Sequence, residues 1–242
     1  MYIFSNPWDW AALGWFVAVW VGYTAYARRA AIYRDSLTAT LYAYRIDWMR
    51  NMLNHENRIT DVALLGNLSS MVNFLATTTI LVLAGIVTML SSTEKLLSVL
   101  ENHAYVVPAT REEVQFKLLV LAAIFVFAFF KFTWSMRQHT FCNIVMGAMP
   151  LVRMGEETAE HYQLAEYAAR ISDRAGNEFN YGLRSYYFAL AVLTWFLGPW
   201  TFIAVTTLTI YILYRREFKS VTLKYLRSGL GLRADMRNRG GR

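Results

Sequence analysis

The sequence predicts an all-α membrane protein with four transmembrane helices and with amphipathic or polar cytoplasmic helices in its two long connections. Four runs without a charged side chain support this prediction: Ala11–Ala27, Val62–Ser92, Leu118–Phe130 and Ser185–Tyr214. A helix of about 20 apolar residues is long enough to cross a bilayer. Hydrophobic residues make up 56% of the chain and charged residues only 17%, a composition typical of a small helical membrane bundle.

The first span is predicted from about Asp9 to Ala27. Tryptophans towards its start and tyrosines near its end fit the aromatic belts of the two membrane interfaces, and Arg28 and Arg29 end the span. An amphipathic helix follows, with Ser36 as its N-cap. Its apolar stripe at helical spacing consists of Leu37, Leu41, Tyr44, Trp48 and Met52. This helix is predicted to lie on the membrane surface or to pack under the bundle.

The second span is predicted from about Thr60 to Leu90, and the third runs from about Glu112 to Met136. Acidic residues favour a helix N-terminus because they interact well with the helix dipole, which explains the start of the third span. The stretch between the two spans is predicted to be a loop. Lys117 lies near the start of the third span, where its ammonium group is expected to reach the membrane surface.

A second long connection precedes the fourth span. It is predicted to contain a polar helix from about Thr158 to Ala175, which Gly176 and Asn177 would end. The fourth span, Ser185–Tyr214, is interrupted near its middle by Gly198-Pro199.

Residues 1–214 are therefore expected to form one four-helix transmembrane domain, and residues 215–242 a basic C-terminal tail. The first span is preceded by no Lys or Arg, the stretch Arg28–Arg58 has six, the loop before the third span has two, and Arg137–Arg184 has five. The positive-inside bias places both long connections in the cytoplasm and the N-terminus outside. Four spans would leave the tail, with its nine Lys and Arg, outside as well. Either the fourth segment turns back at Gly198-Pro199, or the tail meets anionic headgroups on the outer side.

Several classes of protein are disfavoured. The net charge of +7 comes mainly from basic flanks and no basic stripe accompanies a soluble aromatic platform, so anionic lipid headgroups are expected as partners and nucleic acid is not. The single Cys142 excludes an internal disulfide. Met1–Trp10 lacks the basic residues of a signal peptide, so the first span is expected to remain as an anchor. His139 and Cys142 have the only suggestive ligand spacing, without a second pair, so no metal or cofactor is predicted.

The second span has a polar face, formed by Asn67, Ser70, Asn73 and Thr77 at steps of three, three and four. Polar groups within a span need partners, so this face is predicted to point into the bundle, into an oligomer interface or into a wet cavity. Hydrogen bonding between helices is one interpretation, and the lining of a polar pathway is the other. The lack of Asp, Glu and His deep in any span argues against proton coupling.

A second candidate site is a group of three arginines, Arg170, Arg174 and Arg184, which we call the headgroup arginines. Guanidinium groups near the membrane surface match the geometry of a phosphate, so the group is a candidate anion or lipid-headgroup site. The plainer interpretation is that these side chains reach for solvent and form a salt bridge with Asp173.

The third candidate is the helix break at Gly198 and Pro199. Proline removes one helical hydrogen bond, and a kink within a single span is the favoured interpretation because bundles tolerate such kinks. The alternative is a gate or an unwound ion site of the kind seen in transporters, where two broken helices are usual. Only one is visible here.

Three segments, Ala165–Arg170, Tyr181–Phe188 and Trp195–Pro199, combine a charged turn with a glycine-proline break. Together with Asn67–Thr79 they resemble the bacterial and plant integral membrane protein family known as domain of unknown function 599. The resemblance covers roughly Gly14–Tyr214 and implies a four-helix membrane fold. It implies no catalytic residues.

No nucleophile-base pair and no carboxylate pair is apparent, so no catalytic residue is predicted and an enzyme is the least favoured class. One hypothesis is a non-enzymatic, oligomeric, channel-like protein that conducts a small solute or ion along the polar face. The other is a structural or accessory subunit that binds lipids and partner membrane proteins in a larger membrane complex. Either protein is expected in the bacterial inner (plasma) membrane.

Overall fold

The computed structural model describes residues 4, 6–33, 36–101 and 110–240. All regular structure within these residues is helical, so the predicted all-α class is confirmed. The helices are α1 Pro7–Tyr33, α2 Leu37–Met52, α3 Ile59–Ser91, α4 Thr93–Glu101, α5 Arg111–Ala148, α6 Ala159–Leu193, α7 Pro199–Phe218 and α8 Val221–Gly240, with a 3-10 turn at Thr194–Leu197.

Two helices, α3 and α5, are long and apolar enough to cross a membrane. Over their most apolar 18 residues the mean hydropathy is 2.0 and 2.1, and only 17% and 33% of those residues are buried within the chain. Most of this apolar surface is therefore exposed. These helices correspond to the second and third predicted spans.

The chain forms two compact units, each assembled from three segments. Unit 1 contains Met1–Tyr26, Asn73–Thr133 and Phe179–Ile212, and unit 2 contains Ala27–Val72, Trp134–Glu178 and Leu213–Arg242. The boundaries fall within α1, α3, α5, α6 and α7, so each of these five helices contributes residues to both units.

Unit 1 has a core of aromatic side chains. Phe132, Phe188, Trp195 and Phe202 are all fully buried. Trp195 stacks on Phe202 with ring centroids 4.9 Å apart, and Trp20 stacks on Phe188 at 5.1 Å. Such pairs add specific geometry to the large apolar area that each ring buries. The abundance of phenylalanine in α5 and of aromatic residues in α6 and α7 thus serves packing.

Unit 2 has a separate core rich in methionine and alanine. Met49 and Met52 of α2 pack there with residues of α3, α5 and α6. The small side chains Ala165 and Ala168 are fully buried in the same cluster. Ser36 is the N-cap of α2 as predicted, because its hydroxyl accepts a hydrogen bond from the Ala39 N–H at 3.1 Å. The helix α2 is therefore packed against its own chain.

Helix α6 continues through Gly176 and Asn177, so the prediction that a helix ends there is wrong. In this helix, glycine does not end the helix but allows other side chains to pack closely against its backbone. A Cβ on Gly176 would meet Nη2 of Arg45 at 2.6 Å, and a Cβ on Gly182 would overlap the ring of Phe132. Helix α6 thus uses glycine where another side chain needs its space.

The third predicted span also extends further than expected, because α5 ends at Ala148 instead of near Met136. Its added part keeps a buried stripe of His139, Cys142 and Met146, and the latter two belong to the core of unit 2. The start of α5 agrees with the prediction. Its N-cap region forms a capping box, in which the Glu113 N–H donates to Thr110 Oγ1 at 3.3 Å and the Thr110 N–H to Glu113 Oε2 at 3.1 Å.

The stretch predicted as a loop before α5 is helical in part. Helix α4 occupies Thr93–Glu101, and residues 102–109 of the predicted loop lie outside the described part of the chain.

Candidate functional site

The polar face of α3 lies opposite the side on which this helix packs. The buried residues of α3 form one stripe at helical spacing: Asp61, Leu65, Val72, Ala76, Thr79 and Ile86. At about 100° per residue, the polar face is centred roughly 150° away from that stripe. Asn67, Ser70, Asn73 and Thr77 are all exposed, and none of their side chains hydrogen-bonds to a residue that the structure describes.

Neighbouring hydroxyl groups of α3 do have partners. Ser69 and Thr78 donate to the carbonyl groups four residues earlier, at 3.0 and 2.8 Å. The Thr79 and Tyr186 hydroxyls are 2.7 Å apart and share a hydrogen bond. The interpretation that the polar face points into the bundle of its own chain is therefore wrong for the described residues. An oligomer interface and a wet path both stay predictions.

The polar face of α3 extends beyond Thr77, the last of its residues predicted from the sequence. Thr88 and Ser91 are exposed on the same side of the helix, and the steps of three and four residues could have revealed them. Within unit 1, Asn73 and Ser91 are separated by about 27 Å along the axis, close to the roughly 30 Å of a bilayer core. Between Thr77 and Thr88 the face is apolar at Leu81, which is 69% exposed.

The headgroup arginines do not all belong to one unit. In unit 2, Arg170 is paired with Glu166 at 2.8 Å, and both Arg170 and Arg174 are exposed. In unit 1, the Arg184 guanidinium lies 5.4 Å from the ring centre of Tyr23. Binding of an anionic headgroup by these residues stays a prediction, with Arg170 and Arg174 as its accessible members.

Asp173 forms a salt bridge with Arg45 of α2 instead of with the headgroup arginines. The Arg45 Nη1 and Asp173 Oδ1 atoms are 2.7 Å apart, and Asn177 donates to the other carboxylate oxygen at 2.9 Å. Burial raises the pKa of Asp173, although the Arg45 charge and these hydrogen bonds act in the opposite direction. The pair links α2 to α6 within unit 2.

The break at Gly198 and Pro199 separates two helices instead of kinking one. Helix α6 ends at Leu193, the 3-10 turn occupies Thr194–Leu197, and α7 begins at Pro199. Gly198 has a φ of 134°, a conformation that residues with a Cβ rarely adopt. The expectation of a single kinked helix is therefore wrong, because the backbone leaves the helical conformation completely at this glycine.

Helices from both sides of the break contact α2 within unit 2. The helix that enters the break, α6, contacts α2 through the Arg45–Asp173 pair described above. At the end of α7, Glu217 accepts hydrogen bonds from the N–H and the hydroxyl of Thr38, at 3.1 and 2.7 Å. The Tyr44 hydroxyl of α2 then donates to the Leu226 carbonyl of α8 at 2.9 Å. Both alternatives for the basic tail stay predictions.

A buried polar cluster in unit 1 holds the break, and sequence reasoning missed it. Asp9 and Lys117 are buried, and the Trp195 indole N–H donates to Asp9 Oδ1 at 2.5 Å. The Lys117 ammonium donates to the Trp195 carbonyl at 3.2 Å and lies 3.9 Å from Asp9 Oδ1. In a continuous helix this carbonyl would accept from residue 199, but Pro199 has no N–H. Here the carbonyl accepts from the Gly198 N–H at 3.1 Å and from the buried Lys117 as a second donor, so the prediction that Lys117 reaches the membrane surface is wrong.

No group of three or more His, Cys, Asp and Glu side chains suited to a metal comes together in the described part of the chain. His139 Nδ1 lies 2.9 Å from the Ser135 carbonyl, and the Cys142 thiol donates to the Ala168 carbonyl at 3.7 Å. Both residues are buried. The lack of a metal and of a cofactor stays a prediction.

The comparisons with known proteins bear on the family alone. The model of the family described as "Protein of unknown function, DUF599" matches residues 11–222. No curated protein and no solved structure matches the chain. The matched range includes α3, α6 and the Gly198-Pro199 break, on which the resemblance noted in the sequence depends. The chain therefore belongs to the DUF599 family, as those motifs predicted.

Proposed function

We propose that this protein is a non-enzymatic integral membrane protein that works as an oligomer, in which the polar face of α3 lines a channel-like path for a small solute or ion between copies. One observation carries the proposal: the polar face is exposed on the side of α3 that does not pack. Polar groups within a bilayer need hydrogen-bond partners. Asn67 and Asn73 carry both donors and acceptors, so a second copy of the same face complements them.

The exposed apolar surface of α3 supports the membrane setting. Leu64, Phe74 and Leu81 are 49%, 68% and 69% exposed, and they flank or interrupt the polar face. In water, a contiguous apolar surface of this kind would promote aggregation, whereas lipid chains cover it readily. The low burial of α3 is thus consistent with a helix that meets lipid and a neighbouring copy.

The distribution of charge supports an orientation. The sequence ranges of unit 2 carry 19 of the 24 Lys and Arg, and those of unit 1 carry five. By the positive-inside bias, both long connections and the tail lie on the cytoplasmic side of the bacterial inner membrane, and the N-terminus lies outside. Three crossing segments, α1, α3 and α5, together with a fourth segment that turns back at Gly198-Pro199, satisfy this arrangement. The exposed Arg170 and Arg174 would then meet anionic headgroups at the cytoplasmic surface.

Flux through proteoliposomes tests conduction. Vesicles that contain the protein should pass potassium, chloride or glycerol faster than empty vesicles, and Asn73→Leu should reduce that flux about tenfold because it removes polar groups from the path. Leu81→Asn should increase the flux, since Leu81 interrupts the polar face. The matched control is Met71→Leu, an exposed apolar exchange on another side of α3, which should leave the flux unchanged. Equal flux from all variants and from empty vesicles would contradict conduction.

A second candidate function is a structural or accessory subunit of a larger membrane complex. The apolar interval around Leu81 favours it, because a closed helix interface tolerates such an interval better than an open path does. In that case the vesicles are silent, the polar face binds a different membrane protein, and that partner co-purifies in mild detergent. Loss of the partner in Asn73→Leu, with retention in Met71→Leu, would support this function.

A further inference from the structure

Unit 2 contains a polar cavity that shares only Glu166, the partner of Arg170, with the features above. It lies between the C-terminal end of α2 and the N-terminal part of α6 and has a volume of about 800 Å³. Small-molecule sites in proteins typically enclose about 300–1,000 Å³. Its lining includes Arg50, Asn51, Glu160, Tyr162, Gln163 and Glu166. A wall composed of charged, amide and phenol groups is suited to a polar ligand.

The charges of this lining are only partly compensated within the chain. Glu166 is paired with Arg170 at 2.8 Å. By contrast, neither Arg50 nor Glu160 forms an ion pair with any residue in the described part of the chain. The cavity therefore presents one available positive charge and one available negative charge. Its best complement is a ligand that carries both.

The Arg50 side chain is held in place, and one of its hydrogen-bond donors lacks an acceptor. Its guanidinium lies 5.6 Å from the ring centre of Tyr162, a cation–π arrangement that restricts its position at the cavity wall. Its Nε atom is buried without a hydrogen-bond partner. Buried donors without partners are costly, and they are uncommon in folded proteins. A charged oxygen ligand on the remaining guanidinium nitrogens would stabilise this arginine.

We propose that the cavity binds an ammonium–phosphate zwitterion of the phosphoethanolamine kind, with the phosphate at Arg50 and the ammonium at Glu160. A guanidinium group matches phosphate oxygens with parallel hydrogen bonds. Asn51 and Gln163 supply further donors and acceptors. The same chemistry occurs in a free phosphoethanolamine solute and in a phosphatidylethanolamine headgroup. The site is independent of the polar face of α3, so it goes beyond the proposed conduction.

Calorimetric titration of the full-length protein in an uncharged detergent tests the site. O-phosphoethanolamine should bind at least about tenfold more tightly than inorganic phosphate or ethanolamine, because each half uses only one of the two charges. Lysophosphatidylethanolamine in the same detergent separates the two sources. Tighter binding of the lysolipid assigns a lipid headgroup, and equal binding assigns a soluble ligand.

Variants locate the site. Arg50→Gln and Glu160→Gln should each weaken O-phosphoethanolamine binding about tenfold. The matched controls, Arg153→Gln and Glu156→Gln, change exposed residues outside the cavity lining and should bind normally. Glu160 is exposed, so its variant is expected to fold even where the Arg50 variant does not. The proposal is overturned if O-phosphoethanolamine does not bind, or if inorganic phosphate or ethanolamine binds as tightly as O-phosphoethanolamine. It is also overturned if either variant folds and keeps the wild-type affinity for O-phosphoethanolamine.

Discussion

Replacement of Lys117 by methionine tests the role assigned to the buried polar cluster. The substitution keeps the length and apolar character of the side chain but removes the ammonium, so Asp9 loses its nearby cation and the Trp195 carbonyl loses a donor. Removal of one partner of a buried ion pair typically costs about 3–5 kcal/mol. Because Asp9 retains its hydrogen bond from the Trp195 indole, we expect the lower end, about 3 kcal/mol.

The assay is a double-mutant cycle with Asp9→Asn, read by thermal unfolding of the purified protein in detergent. The double variant should lose about 1–3 kcal/mol less than the sum of the two single losses, since the two groups interact. Lys131→Met is the control in the same helix: this lysine lies 5.4 Å from the Phe127 ring centre and 5.3 Å from that of Tyr181, contacts worth about 0.5–1 kcal/mol each. A Lys117 loss no larger than the Lys131 loss, or additive losses in the cycle, would refute the reasoning.

Three further predictions concern packing, titration and capping. Gly182→Ala should cost about 1–3 kcal/mol because its Cβ overlaps the Phe132 ring, whereas Gly14→Ala, which has open space, should be neutral or stabilising in the same thermal assay. Asp173 has a raised pKa, so the folded state favours its protonated form and loses stability as the pH rises through that pKa. The melting temperature of Asp173→Asn, relative to wild type, should therefore rise from about pH 4 to pH 7, and a fall would contradict this sign. Thr110→Ala should cost about 1 kcal/mol through loss of the capping box, and an unchanged melting temperature would count against that contribution.

The helices that are marked by a long apolar run or by a local capping signal were predictable from the sequence. Val62–Ser92 lies almost entirely within α3, and Leu118–Phe130 lies within α5, because a charge-free apolar run of this length strongly favours a helix. Ser36 and Glu113 marked helix starts through local hydrogen bonds that involve only neighbouring residues. Local signals of this kind need no knowledge of the fold.

Features that depend on distant residues were not predictable. Glycine is common at helix ends, which is why Gly176 was predicted to end a helix. Its role depends instead on the Arg45 side chain, which is 131 positions away in the sequence. Lys117 has the position of a residue that reaches the membrane surface, but it donates instead to the Trp195 carbonyl, which is 78 positions away in the sequence and also accepts from the Gly198 N–H. In each case a tertiary partner overrides a sound local expectation.

The candidate site shows the same division. The spacing of Asn67, Ser70, Asn73 and Thr77 correctly placed them on one side of a helix. The direction of that side could not be inferred from α3 alone, because it depends on which residues of α3 the remaining helices cover. The buried stripe through Leu65 and Val72 settles that direction.

Cross-linking of the polar face tests the central claim most directly. In a Cys142→Ala background, which leaves no other cysteine, Asn73→Cys and Met71→Cys each present one thiol on α3. If neighbouring copies meet through the polar face, mild oxidation in native membranes should give a disulfide-linked dimer with Asn73→Cys and little or none with Met71→Cys. Equal dimer from both variants, or dimer from Met71→Cys alone, would contradict the account.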